Sequence, residues 1–189
     1  MAFHMGVMNN EVIKNIYKRR SYRSYKPEQL PQAVLEAIIN GGINSPSARN
    51  RQAWHFTVIQ NKQMIDDMNE SFLASLPDDQ REKRISDNYH IFFKAPTVIV
   101  ISGIKDDRYS LIDCSIAMQT ICLAAESFDV GSCMIGMIKP TLDGPEGEKY
   151  IKHFNLPDGY HPQFAVTLGY KGSEARVPDR LPNKVTYVK

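Results

Sequence analysis

From Tyr109 to Phe128 the chain carries charge only at Asp113 and Glu126. Ile112, Ile116 and Leu123 recur at helical intervals among small residues, so the stretch is expected to be a helix. A helix with so little polar surface has to be buried, inside the fold or at a subunit interface. The other strong constraint is Ala95–Ile101, seven residues of which only Thr97 and Pro96 interrupt an aliphatic run. That length suits a buried strand and falls far short of the roughly 18 apolar residues of a membrane span.

The remaining elements follow from periodicity and punctuation. Residues 10–18 are expected to form a first helix with Val12, Ile13 and Ile16 on one face. A second, from about Gln29 to Asn40, carries Val34, Leu35, Ile38 and Ile39 and is expected to stop at Gly41-Gly42. Asn44–Gln52 is a loop of turn formers, followed by a strand from Trp54 to Gln60. Met64, Ile65, Met68 and Phe72 mark a third helix, and the charge-rich 77–88 a solvated helix or lid. A strand over 97–102, the 109–128 helix, a strand at Ser132–Gly136, a helix over 144–154 and a strand over 163–170 complete the core. The segment 1–8 is expected to be a tail outside a single domain spanning 9–189. Residues 171–189 hold Pro178, Pro182 and a strand-like run at Val185–Val188, but no core of their own. They are expected to be disordered or to pack on a partner subunit.

Function classes narrow quickly. At 189 residues the chain is long enough for one well-buried domain without a disulfide or metal staple. The net charge of +2 gives no support to a nucleic-acid binder, and no membrane segment is visible. Three cysteines form no disulfide framework, so reduced thiols and a cytoplasmic location are expected. Strands and helices alternate without a βαβ rhythm, and neither a Gly-x-Gly-x-x-Gly turn nor a Walker loop is present. The histidines His4, His55, His90, His153 and His161 fall at no metal-ligand spacing.

Four segments could carry chemistry. Arg19-Arg20-Ser21-x-Arg23 offers three guanidiniums and a hydroxyl, a set suited to phosphate, although a solvated basic turn after a helix has the same composition. Pro46-Ser47-Ala48-x-Asn50-x-Gln52 combines small residues with amides that can read the polar edge of a ring, or is an ordinary turn. Gly131–Gly136 is a short glycine-flanked strand that could lie along a flat ligand, or a core strand in which Cys133 is packing. Arg176 and Arg180 could close over an anion, or belong to a solvated tail.

Taken together and in this order, these segments resemble the nitroreductase family, flavin enzymes that use FMN. The resemblance runs from about Ile13 to Pro182. Arg19-Arg20-Ser21-Tyr22-Arg23 is similar to the family's opening Arg-Arg/His-Ser-x-Arg/Lys motif. Ser45–Phe56 is similar to its Pro-Ser-Ala-x-Asn-x-Gln-Pro-Trp-x-Phe signature, with Ala53 in place of the usual proline. Phe92–Pro96, Asp113–Ala125 and Gly131–Gly136 follow, with Met134 where tryptophan is common, and Leu168-Gly169-Tyr170 and Arg180 close the pattern.

The resemblance implies an α+β fold with a mixed central sheet between helices. It implies a homodimer whose C-terminal tails are exchanged between subunits. Arg19, Arg20, Ser21, Arg23 and Arg180 would bind the FMN phosphate, ribityl and pyrimidine edge. Pro46, Ser47, Ala48, Asn50 and Gln52 would reach the flavin from the partner subunit, and Met134, Ile135 and Gly136 would line its ring. NADH or NADPH would donate hydride, and an electron-poor small molecule such as a nitroaromatic or quinone would accept it in a ping-pong cycle. The competing expectations are an FMN-storing or FMN-sensing protein with little turnover, and a flavin-free module binding an anionic partner.

Overall fold

The computed structural model describes residues 10–189, so the expected 1–8 tail lies outside the described residues. The chain opens with α1 (Glu11–Lys18), whose start is fixed by Asn10: its side chain accepts hydrogen bonds from the Val12 and Ile13 N–H groups. Next come α2 (Gln32–Ile43), β1 (Trp54–Ile59), α3 (Lys62–Ala74) and α4 (Asp78–Ser86). Then follow β2 (Thr97–Ile104), α5 (Arg108–Ser127), β3 (Val130–Ile135), α6 (Ile138–Asp143), α7 (Gly147–Ile151) and β4 (Tyr160–Tyr170). The strands form one sheet in the order β1-β2-β4-β3.

The aliphatic run in β2 explains the layering. In a strand, successive side chains point to opposite faces. Val98 and Val100 enter a core with Ile65, Met68 and Phe72 of α3 and Ile138 and Leu142 of α6. Ile99 and Ile101 enter a second core with Leu35 and Ile38 of α2 and Ile121, Cys122 and Ala125 of α5. A central strand covered on both faces must be apolar at every position, which is why no alternation is visible there. Each such buried aliphatic side chain contributes roughly 1.5–3 kcal/mol.

Several expectations change in detail. All three strand pairings are antiparallel; the parallel component of the expected mixed sheet is confined to an isolated bridge, Ser21 to Ser132. The α2 helix does not stop at Gly41-Gly42 but runs on to Ile43. The two glycines are a packing surface: a Cβ at Gly41 would lie 2.9 Å from Ala124 Cβ, and one at Gly42 2.7 Å from Ile121 Cγ1. The expected 144–154 helix is reduced to α7, and the short α6 before it is unexpected. The two meet where Gly147 crosses the Leu142 carbonyl so closely that a Cβ would fall 1.9 Å from that oxygen. The strand-like run Val185–Val188 forms no strand. Val177, Leu181, Val185, Tyr187 and Val188 are all exposed in this chain.

Candidate functional site

The cationic turn and the glycine-ended strand are brought together at one edge of the sheet. The Tyr22 N–H donates to the Ser132 carbonyl at 2.9 Å beside the Ser21–Ser132 bridge, so Arg19–Arg23 runs along β3. Among the described residues, Arg19, Arg20 and Arg23 make no ion pair with a carboxylate. Arg20 spends one terminal nitrogen on the Tyr17 and Arg19 carbonyls, while its Nε is buried without a partner. A buried charged donor with no acceptor is costly, and a polyanion at this turn removes the cost.

The turn is held from behind. Lys171, just past β4, places its ammonium 2.9 Å from the buried Glu126 carboxylate and 2.7 Å from Asp129. Lys18 reaches Asp129 at 3.1 Å and Glu126 at 3.4 Å. The same Lys171 lies over the Tyr22 ring, 4.8 Å from its centroid. Burial alone would lower the Lys171 pKa, but the hydrogen bonds to Asp129 and Glu126 outweigh it and hold it above the ordinary lysine value. This network joins the ends of α1, α5 and β4 to the arginine turn.

In front of the turn lies a cavity of about 350 Å³ whose floor is Met134–Gly136. A Cβ at Gly136 would meet nothing within 4 Å, so bare backbone faces open space there. Arg23 stands at the rim with its guanidinium 5.8 Å from the Phe93 ring centroid. Arg84, Tyr89 and Phe93 form the roof, an arch that runs from α4 into the loop before β2. Phe93 and Lys94 both adopt left-handed φ, 53° and 56°, which turns the loop back into the sheet. His90 anchors the arch on its far side. Its Nδ1 accepts from the Phe92 N–H at 3.1 Å, and Nε2 lies 3.4 Å from Asp66 Oδ1. The sequence suggested a lid over this stretch but gave no sign of the Arg84–Tyr89–Phe93 grouping, because its members meet only through the turn after α4. Cys133, also on the cavity, is buried, and burial pushes its thiol up.

The Pro46–Gln52 segment is built as tightly but elsewhere. The Ala48 N–H donates to Asp113 Oδ1 at 3.0 Å, and Ser47 Oγ accepts from the Gln52 N–H at 2.9 Å. Arg51 pairs with Asp107 at 2.8 Å. The backbone hydrogen bond from Ser110, with Arg51 next, holds the Asp107 carboxyl below the usual carboxylate range. Arg49, Asn50 and Gln52 have φ of 55°, 54° and 50°, a concentration of left-handed backbone that is unfavourable outside glycine. The loop is thus clamped to the start of α5 with the Asn50 and Gln52 amides exposed at the surface.

Within one chain these two halves do not meet. The loop precedes β1, at the sheet edge opposite β3, three strand spacings or about 14 Å across. Through the register Trp54–Gly103–His161 it also lies some seven residues of β4 away from Leu168, the partner of Ser132, about 20 Å along the strands. Arg180 is exposed in this chain. Among the described residues no cluster of three or more His, Cys, Asp or Glu could hold a metal ion. No helix among them is long and apolar enough to cross a membrane.

The sequence model described as the nitroreductase family matches residues 16–170, the stretch containing both halves of the site. The chain belongs to this family. A nitroreductase of Bacteroides fragilis NCTC 9343, whose crystal structure holds bound FMN, superposes with a TM-score of 0.87 at 30% identity, covering 96% of this chain and all of that one. An FMN-bound nitroreductase of Desulfitobacterium hafniense DCB-2 superposes at 0.86 with 32% identity over the same 96% of this chain and all of its own. In sequence, the chain is 26% identical over 187 residues to the FMN reductase (NAD(P)H) of Bacillus subtilis strain 168, covering 93% of this chain and 72% of that protein. This nitroreductase-family chain therefore shares the whole fold of the two FMN-bound structures.

Proposed function

We propose that the protein is an FMN-dependent oxidoreductase that passes hydride from NADH or NADPH to an electron-poor small molecule such as a nitroaromatic or quinone. The observation that carries this reading is the cationic turn, without carboxylate partners, hydrogen-bonded to a strand whose glycine end opens on a cavity. Its residues fit FMN: a polyanionic tail for Arg19, Arg20 and Ser21, and a flat ring for the backbone at Met134, Ile135 and Gly136. FMN, when bound, supplies a ring that takes hydride from the nicotinamide and gives it to the acceptor.

The chain's own part is to bind, orient and polarise. Arg19 and Arg20 provide permanently charged, bidentate donors for phosphate. Arg23, on the cavity rim, would hold positive charge beside the pyrimidine edge, which gains negative charge on reduction, and so would favour the reduced state. A backbone N–H of the 134–136 stretch would orient the ring. No side-chain acid or base is needed, because the chemistry belongs to the cofactor.

The working unit is a homodimer. Pro46, Ser47, Ala48, Asn50 and Gln52 lie too far from Arg19–Arg23 to share one ring within a chain, so a second copy supplies them. The exposed apolar side chains of Val12 and Ile16 on α1 and of Ile112 and Ile116 on α5 give that copy a surface to cover. The tail beyond Lys171 exposes enough apolar surface to pack on the partner and carry Arg180 to an FMN phosphate.

The test is the visible spectrum of purified protein, then anaerobic NADH and NADPH. Flavin bands that bleach within seconds support the reading, and the faster donor names the reductant. Protein that stays colourless after saturation with FMN and dialysis refutes it; yellow protein that bleaches with neither donor indicates storage or sensing. Light scattering at two dimers-per-litre concentrations a hundredfold apart checks that the species has twice the chain mass.

A further inference from the structure

The cavity over Met134–Gly136 contains two arginines and no carboxylate. Arg23 belongs to the cofactor side of the proposed site. Arg84 comes from the roof, on α4. Arg81 is paired with Asp78. Arg84 has no carboxylate partner among the described residues and donates no side-chain hydrogen bond there. Its guanidinium is held by stacking, 4.2 Å from the Tyr89 ring centroid. Tyr89 meets Phe93 edge to face, with centroids 6.1 Å apart and planes at 81°, and its hydroxyl reaches Met137 Sδ at 3.9 Å. A planar cation is thus fixed over an aromatic wall with its N–H donors unspent, beside the floor on which a ring would lie.

We propose that Arg84 selects acceptors that are aromatic and carry an acidic group, the ring lying against Tyr89 and Phe93 and the carboxylate accepting from the guanidinium. This rests on the reductase reading and adds the chemical class of the acceptor. Guanidinium–carboxylate recognition in a partly desolvated cavity is directional, and it is lost when the acid becomes an amide of the same shape. The dinucleotide's phosphates are the other source of negative charge for this cation, and the experiment separates the two.

The probes are 4-nitrobenzoate and its neutral isostere 4-nitrobenzamide, compared in the FMN-loaded wild type, Arg84→Gln and the control Arg81→Gln. Comparing ratios between variants cancels the intrinsic reducibility of each probe. Arg84→Gln is expected to lower kcat/KM for 4-nitrobenzoate about tenfold or more, through KM, while 4-nitrobenzamide changes less than about twofold. Arg81→Gln changes neither, and Arg84→Lys restores only part because an ammonium does not stack. Calorimetric binding of unreactive benzoate and benzamide gives the same comparison without turnover. An unchanged benzoate-to-benzamide ratio in Arg84→Gln overturns the proposal. If the loss instead appears in the saturation of flavin reduction by NADH or NADPH, the cation serves the dinucleotide and the proposal is again overturned. Wild type that reduces neither probe, nor a quinone, fails one step earlier, at the reductase reading itself.

Discussion

Replacing Gly42 by alanine sets two well-defined terms against each other. Alanine is favoured over glycine inside a helix by about 1 kcal/mol, and Gly42 lies inside α2. The new Cβ, however, would sit 2.7 Å and 2.9 Å from Ile121 Cγ1 and Cδ1 and 3.3 Å from Phe56 Cζ. Ile121 is fully buried, so it cannot swing aside into solvent. Overpacking of this kind costs typically 1–3 kcal/mol, and two contacts below 3 Å put the site at the upper end. The net expectation is a loss of about 2 kcal/mol, or about 4–8 °C in Tm for a chain of this size. The double-mutant cycle isolates the cause. In an Ile121→Ala background, which itself costs about 2–5 kcal/mol, both offending atoms are gone and the Cβ fills part of the hole. Gly42→Ala should there be neutral or stabilising by up to about 1 kcal/mol. Chemical denaturation at one fixed protein concentration measures both legs. Equal effects in the two backgrounds, or stabilisation in the wild type, would refute the packing role of the glycines.

Other consequences follow from the charged and buried groups. Burial lowers the His90 pKa from 6.5, against the upward pull of Asp66 and with Lys94 and Lys62 adding to the lowering. The fold therefore favours the neutral ring, and the stability it contributes is complete above pH 6.5 and lost as pH falls through the lower folded value. His90→Asn should flatten the fall in Tm between about pH 7 and 5; an unchanged slope counts against this. Lys171→Met strands the buried Glu126 carboxylate with only Lys18 at 3.4 Å and should cost about 2 kcal/mol, with Lys171→Met/Glu126→Gln recovering most of it in the same denaturation assay. Burial pushes the Cys114 and Cys122 thiols up to about 11, so a chromogenic disulfide should label none of the three cysteines rapidly in the native protein and all three in guanidinium. Arg23→Ala should lower the potential of bound flavin and slow turnover, and an unchanged potential would remove Arg23 from its role.

What the sequence revealed depended on how local the cause was. The aliphatic run in β2 could only be a strand covered on both faces. The cationic turn announced itself by composition. Gly41 and Gly42 misled because glycine signals both a helix stop and a close helix crossing, and only the position of Ile121 and Ala124 decides between them. The Lys171–Glu126 contact joins residues 45 apart and has no motif. The sequence also offered no means of pairing Arg84 with Tyr89, since that depends on the path of the loop after α4. For the candidate site, the floor was legible and the roof was not.

The bridge between Ser21 and Ser132 has a consequence for how such a protein diversifies. It welds the cationic turn to the glycine-ended strand, so the two parts of the floor shift together or not at all, and a substitution in either disturbs both. α4 carries no buried residue, whereas the end of the arch is pinned by Ile91 and Phe92 in the core, by Asn69 on the Ile91 N–H and by His90 between Asp66 and Phe92. The α4 portion can be rewritten in length and charge while the bed beneath keeps its shape. New substrate ranges should therefore arise by change in residues 77–89, and a mutant library confined to that arc should alter acceptor preference far more often than it costs the protein its colour.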